Sequence, residues 1–244
     1  MGFSPDERKT LVLAGQNAMN TAEDPQLAAQ SFTQMRTLIE DLIARRRQAP
    51  AEDATSKLIH QNDYRFPEEE LFWTIFTLNF GGTENVAALI ENILYYLSQD
   101  DEMRLRLRRS PDQMPGAVEE FLRYFTPGGG LARTVTRDVE LGGVSLQAGD
   151  RILLWLPSAN KDDSRFCAPD VVDLDRKDRS AHLSFAQGPH FCVGAEMARF
   201  EVGHLVNEVL RRIPGYSVDI DRAMRFENSG NMYGWWTMPA RTNL

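Results

Sequence analysis

Cys192 is the residue most able to do chemistry. It stands in Phe185-Ala186-Gln187-Gly188-Pro189-His190-Phe191-Cys192-Val193-Gly194, between two glycines and two places after a histidine. Met197, Val202, Leu205, Val206, Val209 and Leu210 follow at spacings of three and four, which predicts a helix directly after the loop. A sulfur just ahead of a helix N-terminus faces unpaired backbone N–H groups and the positive end of the macrodipole, which favour thiolate over thiol. Gly188 and Gly194 permit backbone turns closed to other residues and let a flat ligand approach. A lone cysteine at such a turn is ordinarily a small buried apolar residue. Here Phe185, Gly188, His190, Cys192 and Gly194 are set together over ten positions, a pattern far more specific than a buried thiol needs.

The elements that must position this loop are mostly helical. Ser4-Pro5-Asp6-Glu7 is a capping box with proline in the first turn, opening a helix that runs to about Met19. Pro25 opens a second, which ends in Arg45-Arg46-Arg47, a basic run favoured by the helix dipole. A short helix around residues 54–60 follows. Pro67-Glu68-Glu69-Glu70 starts a long apolar helix interrupted by Gly81-Gly82. Each glycine costs a helix about 1 kcal/mol relative to alanine, so the pair implies either a closely packed helix or a ligand against bare backbone. Residues 101–109 and 115–125 read as two further helices. The second carries Glu120 and Arg123, spaced to pair on one face. Residues 131–136, 139–141, 144–146 and 152–156 have strand character, with Gly142-Gly143 as a turn. Short closing strands are expected at Tyr216-Ser217-Val218, Arg225-Phe226-Glu227 and Trp235-Trp236-Thr237-Met238, with the tryptophans packed inward.

A chain of 244 residues holds one large domain or two small ones. Its net charge of −8 argues against a general nucleic-acid binder. No apolar run is long enough to span a bilayer. With only Cys167 and Cys192 present, a disulfide would deny any metal its thiolate, so a reducing, cytoplasmic setting is expected.

Phe-x-x-Gly-x-His-x-Cys-x-Gly resembles the haem-binding loop of the cytochrome P-450 family, the haem-thiolate monooxygenases. The resemblance covers nearly the whole chain from Phe3 onward. It implies a mainly α fold with a small β-sheet, forming one haem domain over residues 1–244. It implies haem b as cofactor and Cys192 as the axial ligand of its iron. Gly81-Gly82-Thr83-Glu84-Asn85 is similar to the family's oxygen-binding helix, so Gly81, Gly82, Glu84 and Asn85 would line the dioxygen side. Asn85 stands where the family usually carries a hydroxyl; an amide orders water but does not titrate. Thr83, about 200° around a helix from that position, is not expected to replace it. Glu120 and Arg123 resemble the Glu-x-x-Arg motif that braces the haem core. Val171 falls where a third arm usually joins them, with Arg176 nearby as the residue able to replace it. Arg133, His182 and His190 would hold the haem propionates. Asn160-Lys161-Asp162 resembles a short family helix.

Against the family this sequence begins part way in, without a counterpart of the first helices. Exposed apolar surface is then expected, covered by a second copy in a homodimer or by another chain. The implied reaction inserts one oxygen atom from dioxygen into a small apolar substrate. Electrons would come from a ferredoxin-type or other separate donor, which Arg176, Lys177, Arg179 and Arg199 could meet. Two other readings fit the same residues. One is a haem-binding or interaction subunit without oxygenase activity, the other a peroxide-driven haem enzyme.

Overall fold

The computed structural model describes residues 1–19, 24–61, 64–225 and 233–242. They form two compact units, one built on residues 1–87 and one on residues 88–225 with 233–242. A long helix, α4 (Glu68–Gln99), contributes to both.

In the N-terminal unit, α1 (Pro5–Met19) starts where the capping box placed it. Ser4 N–H donates to Glu7 Oε2 at 2.7 Å, and Glu7 N–H donates to Ser4 Oγ at 3.3 Å. Two otherwise orphaned N–H groups are thereby satisfied. Helix α2 (Pro25–Gln48) is capped by Asp24, which accepts from Leu27 N–H at 2.9 Å. The three arginines at its end have structural work. Arg45 pairs with Glu7 at 2.6 Å, Arg46 with Asp53 at 2.5 Å, and Arg47 with Glu68. Asp53 also caps α3 (Ala54–His60). Met35, Ile39, Leu42, Leu71, Phe72 and Ile75 make a dry core, each 2% exposed or less.

The C-terminal unit continues with α5 (Asp101–Arg109), α6 (Met114–Phe125), α7 (Leu156–Ala159) and α8 (Ala195–Arg212). Helix α6 is its centre, with Met114, Ala117 and every residue from Val118 to Arg123 buried. It lies close to α8 at Gly203, where an added Cβ would stand 3.6 Å from Met114 and 3.7 Å from Val118. The β content is not one sheet. Among the described residues it is four antiparallel pairs. Strand β1 (Gly130–Thr134) pairs with β4 (Arg151–Trp155), placing Arg133 opposite Ile152. The hairpin β2 (Val139–Leu141) and β3 (Val144–Leu146) turns at Gly142 and Gly143, both at positive φ. Strand β5 (Tyr216–Val218) pairs with β8 (Ala240–Thr242), and β6 (Met224–Arg225) with β7 (Trp235–Thr237). Trp235 is 4% exposed and packs on Tyr95, so its role is packing, as expected. Phe226 and Glu227, expected in a closing strand, lie outside the described residues. The short helix expected at residues 160–162 lies earlier: α7 ends at Ala159, and Asn160 caps it with its backbone N–H on Leu156 O.

Phe121 is fully buried among Tyr96 and Phe125. Phe121→Ala is expected to destabilise the chain by about 3–5 kcal/mol through lost transfer energy and a residual cavity, read by denaturant unfolding. A loss below about 1 kcal/mol would contradict this packing.

Candidate functional site

The buried centre of the C-terminal unit is Glu120. It and Arg123 are both 0% exposed. Arg123 Nε donates to Glu120 Oε2 at 2.9 Å and Nη2 to Oε1 at 2.8 Å. The third arm of this motif is Arg176, whose Nε lies 3.0 Å from both carboxylate oxygens. Asp173 N–H adds a further bond to Oε1 at 2.9 Å. Val171, which stands where the resemblance put the third arm, is 56% exposed and contributes only its carbonyl. The remaining guanidinium N–H groups go to backbone oxygens. Arg123 binds the carbonyls of Asn160, Pro169 and Val171, and Arg176 those of Cys167, Ala168 and Val171. A buried carboxylate is costly unless its lone pairs are filled, and here two cations and a backbone amide fill them.

That cluster reaches the cysteine loop through Asn160, a residue whose role the sequence did not disclose. Asn160 is 0% exposed and its amide is fully used. Nδ2 donates to Thr126 Oγ1 at 2.8 Å and Ser184 Oγ at 2.9 Å, and Oδ1 accepts from Leu183 N–H at 2.7 Å. Beyond it the loop closes on itself. Ala186 N–H donates to Leu183 O at 2.8 Å, and Cys192 N–H to Phe185 O at 2.9 Å. Gly188 sits at φ +76°, as expected of a glycine there, but Ala186 also holds a left-handed φ of +57°. A non-glycine residue pays about 1–2 kcal/mol for that conformation, so the loop's bonds impose it.

Cys192 is free and exposed. An added Cβ on Gly194, which precedes α8, would lie 4.0 Å from its Sγ. Phe191 and Val193 flank it at 52% and 80% exposure. Arg133 is exposed; its Nη1 donates only to the neighbouring Ala132 carbonyl, and it makes no ion pair among the described residues. His190 is exposed on the loop. His182 differs from both: its side chain is 2% exposed and its Nε2 has no aligned hydrogen bond among the described residues. An available sulfur, exposed apolar side chains beside it, an arginine without a carboxylate and an orphaned buried imidazole nitrogen together fit a flat, apolar ligand bearing acid groups and a metal. That is the chemistry of haem.

The other expected site residues belong to the N-terminal unit. A Cβ added at Gly81 or Gly82 would meet no atom within 4 Å among the described residues. Glu84 is 5% exposed, and burial pushes its carboxyl up from the usual range. Asn85 Nδ2 reaches back to Gly81 O at 3.4 Å, and Thr83 Oγ1 donates to Asn79 O at 2.5 Å, so the threonine hydroxyl is occupied by its own helix.

The basic group expected to meet an electron donor is largely spent internally. Arg176 serves Glu120, Arg179 donates to the carbonyls of Leu174 and Arg176, and Arg199 pairs with Glu119 and Glu196. Only Lys177 of the four is exposed. Glu119 was not singled out by the sequence. Burial pushes its carboxyl up, but the bidentate Arg199 guanidinium opposes that, and the carboxyl is held well below the usual carboxylate range.

Arg176→Met is expected to cost about 3–5 kcal/mol, because it leaves buried Glu120 short of a cation, whereas Val171→Ala should change stability by less than about 0.5 kcal/mol. Equal effects in denaturant unfolding would contradict the assignment of the third arm. Glu119 titrates lower when folded than its ordinary 4.5. Its contribution is therefore full above about pH 4.5 and lost as pH falls towards 2. Glu119→Gln should flatten that part of the acid-unfolding profile, and an unchanged profile would refute the link.

The cytochrome P450 family pattern matches residues 19–229. The chain is 41% identical over 179 residues to a nocardicin C N-oxygenase of Nocardia uniformis subsp. tsuyamanensis, covering 72% of this chain and 44% of that protein. It is 36% identical over 173 residues to cytochrome P450 109 of Bacillus spizizenii, covering 70% and 42%. Among solved structures, cytochrome P450 PksS of the Bacillus subtilis bacillaene polyketide synthase superposes with a TM-score of 0.91 at 29% identity, over 100% of this chain and 64% of that one. A Bacillus megaterium structure in complex with corticosterone gives 0.88 at 28%, over 100% and 67%. The chain thus spans about half the length, 42% to 60%, of the curated relatives it matches. With the loop, the buried Glu-Arg-Arg cluster and the fold agreeing, this chain belongs to the cytochrome P450 family.

Proposed function

We propose that the chain is the haem-binding core of a monooxygenase that inserts one oxygen atom from dioxygen into a small, largely apolar substrate. The observation that carries this reading is the free, exposed Cys192 on a loop tied by hydrogen bonds to the buried Glu120 cluster. Members of the family bind haem b, and Cys192 would hold its iron. When bound through a thiolate, haem iron supplies dioxygen activation, with electron density from sulfur favouring O–O cleavage.

The chain's own residues do the rest. The bond from Cys192 N–H to Phe185 O keeps the sulfur's backbone from turning. Phe191 and Val193 offer apolar contact, while Arg133, His182 and His190 supply donors for carboxylates. Gly81 and Gly82 leave backbone bare for a ligand. Glu84, with its carboxyl pushed up by burial, can hold and release a proton nearer neutrality, and Asn85 can order the water that carries it.

Electrons would come from a separate ferredoxin-type or other donor. A second copy or another chain covering exposed apolar surface, such as Met197 and Phe200 at 61% and 68% exposure, is part of the same reading. Among the described residues no helix is long and apolar enough to cross a membrane. A cytoplasmic location is supported by two unpaired cysteines. Relatives are named for unlike substrates, among them a steroid C26-monooxygenase and a mycinamicin IV hydroxylase/epoxidase, so the names do not choose one here. Asn85 in place of a hydroxyl favours, as a second reading, turnover driven by peroxide. The two part on whether product forms with dioxygen and an electron donor or with peroxide alone.

The chain is expected to take up one haem and, when reduced under carbon monoxide, to show the thiolate-ligand spectrum. Cys192→Ser should abolish that spectrum and Cys167→Ser should keep it. A protein that takes up no haem, or whose spectrum survives Cys192→Ser, overturns the reading.

A further inference from the structure

His182 is the least exposed of the three residues expected to meet haem carboxylates, and its surroundings fix more than its position. Nδ1 accepts the Ser184 backbone N–H at 3.1 Å. A ring nitrogen that accepts must carry its lone pair, so the imidazole proton lies on Nε2. Protonating Nδ1 would set two N–H groups against each other. A side-chain donor could rotate away from such a clash, but this one is backbone. The ring also packs on Phe185, with centroids 5.7 Å apart.

Nε2 lies 3.3 Å from Glu119 Oε2 without making an aligned hydrogen bond. Glu119 is held instead by Arg199, with Nε to Oε1 at 2.7 Å and Nη2 to Oε2 at 3.1 Å. The same guanidinium covers the Phe185 ring at 4.7 Å. A bidentate cation largely cancels the carboxylate's charge. A second carboxylate arriving at Nε2–H is then not repelled by an uncompensated anion beside it.

We infer that Ser184, Glu119 and Arg199 are positioning residues that hold His182 as a neutral ring with its proton on Nε2, ready for donation to a carboxylate of the bound haem. The tautomer stands on the structure alone; the carboxylate half rests on the haem reading above. The arrangement joins α6, α8 and the cysteine loop, so a shift of either helix is felt at the propionate donor as well as at the sulfur.

The test uses the chain labelled with 15N-histidine at pH 7. Long-range proton–nitrogen correlation separates its four histidines, and His182 is the signal lost in His182→Gln. A neutral ring protonated at Nε2 is expected; protonation at Nδ1, or at both nitrogens, overturns the inference. In haem-loaded chain, Arg199→Gln leaves the Glu119 anion uncompensated beside Nε2 and is expected to speed haem loss to an acceptor apoprotein about tenfold, the size of one charge-assisted hydrogen bond. Adding Glu119→Gln to Arg199→Gln removes that anion and should restore most of the retention. Unchanged release in Arg199→Gln, or no recovery in the double variant, overturns the positioning role. If the unaltered chain takes up no haem, the proposed function fails with the carboxylate half, and the nitrogen spectra still decide the tautomer.

Discussion

A carboxylate with no access to water sits at the centre of the C-terminal unit. Glu120 would be ruinous to bury alone, since an ionised carboxyl loses its whole hydration shell. It is tolerated because Arg123 and Arg176 face it and Asp173 N–H completes the shell. The two guanidinium groups then have N–H donors to spare. Those donors collect the carbonyls of Asn160, Cys167, Ala168, Pro169 and Val171, a stretch with little regular structure of its own. The charge cluster thus does for residues 160–173 what a sheet ladder does elsewhere. Asn160 passes the constraint to Leu183 and Ser184, and the next turn ends at Cys192.

This order of dependence explains why the loop tolerates strain. Ala186 holds a left-handed backbone that glycine would adopt freely. Such a conformation persists when its neighbours over-determine it, and Leu183, Phe185 and Asn160 do so. The sulfur is therefore exposed on a backbone held by hydrogen bonds, which suits a ligand that must meet a metal at a fixed place.

Much of this could be read from the residues. The capping box at Ser4, the helix after Gly194 and the Glu120–Arg123 pair follow from local rules of capping and periodicity, which act within a few residues. For the third arm, the resemblance pointed to the place of Val171 and left Arg176 as its replacement, without a local rule to choose between them. Arg176 reaches Glu120 from a coil, and side-chain reach across irregular backbone has no sequence period. The same holds for Asn160, whose value lies in three hydrogen bonds to distant residues, and for Glu119, whose partners Arg199 and His182 lie far along the chain. The basic residues around residue 176 looked like a surface patch because charge alone does not reveal an internal acceptor. Strands β1 to β7 were foreseen and β8 (Ala240–Thr242) was not, and pairing into separate ribbons depends on partners far apart in the chain.

The central claim is that Cys192 Sγ bonds the iron of a bound haem. Iron X-ray absorption on haem-loaded chain tests it most directly. The account predicts one sulfur scatterer in the first shell of iron, retained in Cys167→Ser and lost in Cys192→Ser. A first shell of nitrogen and oxygen alone in the unaltered chain would contradict it.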